Sequence, residues 1–180
     1  MLTKVQQGAL AVPDALHRLR TLPYENLGFA SLDHHRALRQ GFPEVIFCEG
    51  KTVSQVVAIA KTLLRKNNAL LATRVEPSVA RALLRVSKRA VYHEAARVVA
   101  IAPPKLVRRG AVLIVTAGTA DIPVAEEARV TADIMGSKTD TLYDVGVAGL
   151  HRLLGQQERL HDARALIVVA GMDGVLPSVV

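Results

Sequence analysis

The sequence predicts an α/β fold: a small N-terminal α/β domain, then a three-layer domain built on a parallel sheet. Three observations predict it. Short β-branched runs alternate with amphipathic helical stretches, the order that parallel crossovers require. The run Ala111–Thr116 (AVLIVT) is near-continuously apolar and Ala165–Ala170 (ALIVVA) is apolar throughout, as strands covered on both faces are. Charge also divides near Gly110: residues 1–110 hold 18 Lys/Arg against 7 Asp/Glu, and residues 111–180 hold 5 against 9. Pro103-Pro104, followed by Lys105, Arg108, Arg109 and Gly110, breaks the pattern, so the units are taken as 1–104 and 105–180.

The elements follow in order. Pro13 opens a short helix through Leu16 and Leu19. Asp33-His34-His35-Arg36 reads as surface, because adjacent histidines on a strand point to opposite faces and chelate poorly. Gly41-Phe42-Pro43 is a turn, and Glu44–Cys48 (EVIFC) is a strand. Thr52 and Gln55 form a T-x-x-Q capping box. Val53, Val56, Val57, Ala60, Leu63 and Leu64 then make one helix face, which Asn67-Asn68 stops. Ala69–Val75 is a strand. Pro77 suits the first turn of a helix with Val79, Leu83, Leu84 and Val86 inward, and Val98–Ala102 is a buried strand. This first unit is expected to have a largely parallel sheet.

In the second unit, residues 111–116 form a strand and 117–121 (AGTAD) a loop. Pro123 opens a helix with Glu126 and Glu127 near its positive end. Thr139–Asp144 is a weaker strand, Gly146–Leu154 begins a helix, and 165–170 is another buried strand. Gly171-Met172-Asp173-Gly174 is a tight loop, and Leu176–Val180 turns helical.

Composition narrows the function. The chain has 180 residues, half of them hydrophobic and 22% charged, so it can fill a core. Mean hydropathy is +0.24, yet no run approaches the roughly 18 apolar residues of a membrane span. The start lacks a secretory h-region, so no membrane partner and a cytoplasmic location are expected. One cysteine, Cys48, excludes an internal disulfide framework and a Cys-rich zinc site. Aromatics are 3% and the basic residues are scattered, so no nucleic-acid partner is expected. The basic first part is read as a solvated face, or as meeting the acidic second part or a phosphate.

The three loops 117–121, 144–149 and 171–174 fall at the carboxyl ends of strands, the ligand edge of an open parallel sheet. Each has glycine, which lets backbone amides approach an anion, and each supplies a carboxylate: Asp121, Asp144 or Asp173. His151 and Arg152 follow the second loop and suit a phosphate or carboxylate. Taken singly, Asp121 and Asp144 read equally as helix caps and His151 as a satisfied core histidine; their coincidence at one edge favours a site. There is no G-x-G-x-x-G, P-loop, H-E-x-x-H or G-x-S-x-G, which leaves the dinucleotide fingerprint, the Walker motif, zinc proteases and hydrolase triads unsupported.

VTAGTADIPVAEEA (115–128), YDVGVAGLHRLL (143–154) and VVAGMDGVLPSVV (168–180) resemble the LarB family of nickel pincer cofactor biosynthesis, relatives of AIR carboxylase (PurE-like) enzymes. FPEVIFCEGKTVSQVVAIA (42–60) and VYHEAARVVAI (91–101) fit the LarB first domain, which the purine enzymes lack. The resemblance covers most of the chain from about Gly41. It implies a PurE-like parallel-sheet domain and a pyridinium-3,5-biscarboxylic acid mononucleotide synthase. Such an enzyme carboxylates the ring of nicotinic acid adenine dinucleotide with CO2 or bicarbonate and hydrolyses the phosphoanhydride, releasing AMP. A cysteine thiolate adds to the electron-poor ring, the resulting enamine attacks CO2, a carboxylate removes the ring proton and the thiolate leaves.

On this resemblance Asp144, Asp173 and His151 are expected in catalysis, Asp173 as the base. Gly118, Thr119, Asp121, Gly146, Arg152, Gly171 and Met172 are expected to bind the nucleotide. The family usually has Ser at Ala120 and Glu at Asp173. No metal site is expected, although Asp121 and Asp144 are compatible with a hydrated Mg²⁺. A homo-oligomer is expected. Family members continue past LPSVV to the cysteine nucleophile, and Cys48, in an apolar strand, is not a substitute. The 180-residue form is therefore expected to be C-terminally truncated, inactive and aggregation-prone. The alternatives are an AIR carboxylase or mutase of purine biosynthesis, and an inactive paralogue that only binds nucleotide.

Overall fold

Helix α6 is the middle of five layers. The computed structural model describes residues 2–20 and 24–180, with the side chains of residues 2 and 17–20, Leu19 among them, outside the description. Two short helices come first, α1 (Leu2–Gln6) and α2 (Val12–Arg20), with Pro13 in the first turn of α2. A hairpin of β1 (Tyr24–Asn26) and β2 (Ser31–Asp33) and a short α3 (Arg36–Gln40) follow.

The first main sheet has the order β3-β4-β6-β5: β3 (Ile46–Phe47), β4 (Leu70–Thr73), β6 (Val98–Ile101) and β5 (Val91–His93). Helices α4 (Val53–Lys66) and α5 (Pro77–Val86) cover one face. The capping box forms as the sequence predicts: the Gln55 amide donates to Thr52 Oγ1, and the Thr52 amide to Gln55 Oε1. Val56, Ala60 and Leu63 are buried, whereas Val53 and, on α5, Leu84 face outward.

The sheet is mixed rather than largely parallel. β3 and β4 are parallel, but β4–β6 and β6–β5 are antiparallel. The cause is β5, a three-residue strand that turns straight back into β6 and reverses its direction.

The second sheet is parallel, in the order β8-β7-β9: β8 (Ser137–Leu142), β7 (Arg109–Thr116) and β9 (Ala165–Val169). Leu113 and Val115 of β7 pack with Leu153 and Leu176, under α7 (Leu150–Leu154) and α8 (Gln157–Asp162). The opposite face meets α6 (Ile122–Ile134). That helix also turns Val130 and Ile134 onto Leu71, Val98 and Ala100 of the first sheet. Burial of each such side chain is worth about 1.5–3 kcal/mol, so α6 joins the two sheets mainly by apolar packing. Two ion pairs cross the charge division as well: Arg74 to Glu127 (2.9 Å) and Arg108 to Asp133.

Two further elements depart from expectation. β9 is an edge strand with half-exposed side chains, not a buried one, because α6 leaves a groove of about 550 Å³ beside Ala165 and Ile167. His34 is buried rather than on the surface, since the hairpin brings Glu25 within 3.2 Å of its Nε2. Arg65 and Lys66 meet the same carboxylate. Among the described residues no helix is long and apolar enough to cross a membrane.

Candidate functional site at the carboxyl edge of the parallel sheet

The three glycine-bearing loops do meet, and Ala117 is their junction. Its amide donates to Val169 O (3.0 Å), and its carbonyl accepts from the Gly146 amide (2.9 Å). Gly146 is required at this approach, because a Cβ there would lie 2.7 Å from Ala117 O. Gly118 and Gly171 face Asp121. The Gly118 amide donates to Asp121 Oδ2 (2.9 Å), and a Cβ on Gly171 would sit 3.5 Å from Asp121 Oδ1.

The second loop is fixed from beneath. Thr116 is fully buried, and its Oγ1 accepts from the Asp144 amide (3.0 Å). Asp144 has φ +58°, the left-handed region that Asp tolerates better than most residues. Its Oδ2 accepts from Arg152 Nη1 at 2.7 Å. The guanidinium folds back over Gly149, where a Cβ would lie 2.7 Å from Nε. This pair is open to solvent: the side chains are 41% and 49% exposed.

The glycines play a different part from the one expected. The Gly146 amide bonds Ala117 O across two loops, whereas the Gly118 and Gly149 amides bond Asp121 and Gly146 O within their own loops, so none of the three is left as a donor. Among the described residues, no hydrogen bond uses the amides of Gly171 or Met172. Met172 is almost fully exposed, and Asp173, Thr119 and His151 are exposed as well. Asp121, Asp144, Gly146, Gly118 and Gly171 are brought together, with Arg152 closing one side. No hydrogen bond or ion pair ties His151, Thr119 or Asp173 to them.

Three residues were missed by the sequence reading. Thr116 is one, the polar residue at the end of an apolar strand. A buried hydroxyl needs a partner, and that was its signal. The others are Glu126 and Tyr143, which stand inside the quoted motifs. Arg129 makes a bidentate pair to Glu126 (2.6 and 2.8 Å), and the Tyr143 hydroxyl donates to the same carboxylate. The Arg129 bond holds Glu126 below the usual carboxylate range against the effect of burial, with the Tyr143 bond and the charges of Arg129 and His93 helping. This network pins the residue next to Asp144 onto α6.

Cys48 lies far from this chemistry in kind. It is buried in the core under α4 and α5, and burial pushes its thiol up to about 11, with Lys51 only partly opposing. Asp121 and Asp144, the pair compatible with Mg²⁺, each have another partner. Among the described residues no three His, Cys, Asp or Glu side chains gather as a metal-holding group.

Comparison with known proteins decides the family. The LarB/PurE-like N-terminal domain matches residues 24–103, from β1 through β6. The uncharacterized protein MJ0165 of Methanocaldococcus jannaschii is 34% identical over 191 residues, covering all of this chain and 74% of the relative. The chain belongs to the LarB/PurE-like family. The α/β architecture, with its mixed and parallel sheets, agrees with that membership.

Proposed function

We propose that this protein makes pyridinium-3,5-biscarboxylic acid mononucleotide, carboxylating the ring of nicotinic acid adenine dinucleotide and releasing AMP. The observation that carries the reading is the LarB-type domain over residues 24–103. It favours this reaction over a purine-type carboxylation of an aminoimidazole ribonucleotide. The three-loop edge supplies the fitting chemistry. Arg152 exchanges its exposed partner Asp144 for a substrate phosphate, and the open Gly171 and Met172 amides add donors. Gly118, Gly146 and Asp121 hold the loops at the required spacing, with Thr119 at the mouth.

Asp173 is the proposed base for the ring proton, CO2 or bicarbonate is the co-substrate, and His151 stands beside Arg152 for proton transfer in the hydrolytic step. The Asp173 side chain is one methylene shorter than the family's usual Glu, so it reaches the ring only if the loop moves inward. Cys48 does not serve as the thiolate, because it is buried in the first sheet's core with a raised pKa. Exposed Leu154, Leu166 and Val179 around the β9 edge support a homo-oligomer, and a cytoplasmic protein without a membrane partner belongs to the same proposal.

The test gives ¹³C-bicarbonate to the full-length protein that contains this sequence, with nicotinic acid adenine dinucleotide in one reaction and an aminoimidazole ribonucleotide in another. The expected result is ¹³C in a new carboxyl group on the pyridinium ring, with AMP released, in the first reaction and no labelled product in the second. Label in the aminoimidazole ribonucleotide, with none in a pyridinium mononucleotide, overturns the proposal.

A further inference from the structure

A second charged cavity lies away from the three-loop edge. It has about 540 Å³ of space between β5, the far half of α6 and the connector that carries Arg108. That falls within the roughly 300–1,000 Å³ of small-molecule sites. Its cations are Lys88, Arg89, Arg108 and Arg129, and Asp133 is its carboxylate.

These cations are not equivalent. Arg108 is engaged by Asp133 (Nη2 to Oδ2, 2.7 Å), and Arg129 by Glu126. Arg89 donates instead to two backbone carbonyls, Asn68 O (3.0 Å) and Ala102 O. Carbonyls fix its guanidinium in place but leave its positive charge uncompensated. Lys88, next to it, is exposed and has no acidic partner among the described residues. Two adjacent cations without carboxylates therefore stand at one mouth of the cavity, one of them already positioned. The floor is apolar, built by Val130 and Ile134. Burial and the nearby Arg129 hold His93 below its usual pKa, and its ring forms one wall of the cavity. A preorganised anion clamp over an apolar floor suits a ligand with a phosphate at one end and a ring at the other.

We propose that this cavity binds a phosphomonoester carried on a compact ring body, a nucleoside monophosphate in chemical class. The site is formed jointly by the N-terminal sheet and α6 and is separate from the edge that Arg152 closes. It goes beyond the proposed reaction and does not depend on it.

The experiment is a calorimetric titration of AMP, and separately of inorganic phosphate, at low ionic strength. It uses the wild type, Lys88→Gln, Arg89→Gln and Arg152→Gln. Lys88 makes no contact that folding needs, so Lys88→Gln keeps the test sound should Arg89→Gln, which loses two carbonyl bonds, fail to fold. The expected result is AMP affinity lowered about fivefold or more in Lys88→Gln, with this binding kept in Arg152→Gln. AMP should bind more tightly than inorganic phosphate, because only AMP uses the apolar floor. Equal AMP affinity in the wild type and Lys88→Gln overturns the proposal. So does loss of all AMP binding in Arg152→Gln, which would place the nucleotide at the loop edge alone.

Discussion

Arg152 donates to Asp144 across 2.7 Å, and the guanidinium reaches it by folding over Gly149. The pair joins the residue that begins one loop to the helix that follows that loop, on a solvent-open side of the candidate site. An exposed ion pair adds only about 0–1 kcal/mol to stability. Arg152→Gln should therefore leave the unfolding midpoint nearly unchanged, yet lower the affinity for nicotinic acid mononucleotide about tenfold. Gly149→Ala should act in the same direction by displacing the guanidinium. Calorimetry alongside thermal unfolding checks both. Equal loss of stability and affinity would make Arg152 a structural residue.

Gly146 packs against the Ala117 carbonyl with no room for a side chain. Gly146→Ala should force two loops apart at a cost of about 1–3 kcal/mol, the usual range for overpacking. Chemical denaturation measures it. A change under a few tenths of a kcal/mol would show that the junction yields freely.

The Cys48 thiol is buried and its pKa lies near 11. Little thiolate is present at pH 8, so the folded protein should resist a maleimide or disulfide reagent, and denaturant should restore ordinary reactivity. Rapid labelling of the native protein would reopen Cys48 as a nucleophile.

Glu126 ties Arg129 and Tyr143 together, and its pKa is lowered in the folded state. A lowered carboxylate contributes stability that is fully present above its unfolded pKa, about 4.3. That contribution is lost as the pH falls through the lower folded value. Glu126→Gln should cost about 1 kcal/mol at pH 7. The gap to the wild type should close below about pH 4. Denaturation across pH measures it, and a gap that widens in acid would contradict the assignment.

Much of the architecture was legible because local signals agreed with the fold. Thr52 and Gln55 announced α4, and the near-continuous apolar run 111–116 announced a strand covered on both faces. The reversal at β5 was not legible. Its turn, Glu94–Arg97, has no Gly, Pro, Asn or Asp, and places Arg97 at φ +51°, so the usual turn chemistry is missing. The burial of His34 was hidden for another reason: its partner Glu25 becomes a neighbour only once β1 and β2 pair. At the candidate site, residue types pointed to the three loops. The partners did not follow from spacing, because Gly118 and Gly146 give their amides to Asp121 and Ala117. Arg152 and Asp144 were singled out separately, with no sign that they pair.

The central claim is that the three loops form one nucleotide site. The most direct test is a titration of ¹⁵N-labelled protein with nicotinic acid mononucleotide, followed by amide NMR. The account predicts saturable shifts at Gly171, Met172, Asp144 and Gly146, separate from any at Lys88 and Arg89, with Cys48 unmoved. Shifts confined to other parts of the chain, with these four amides unchanged at saturation, would contradict it.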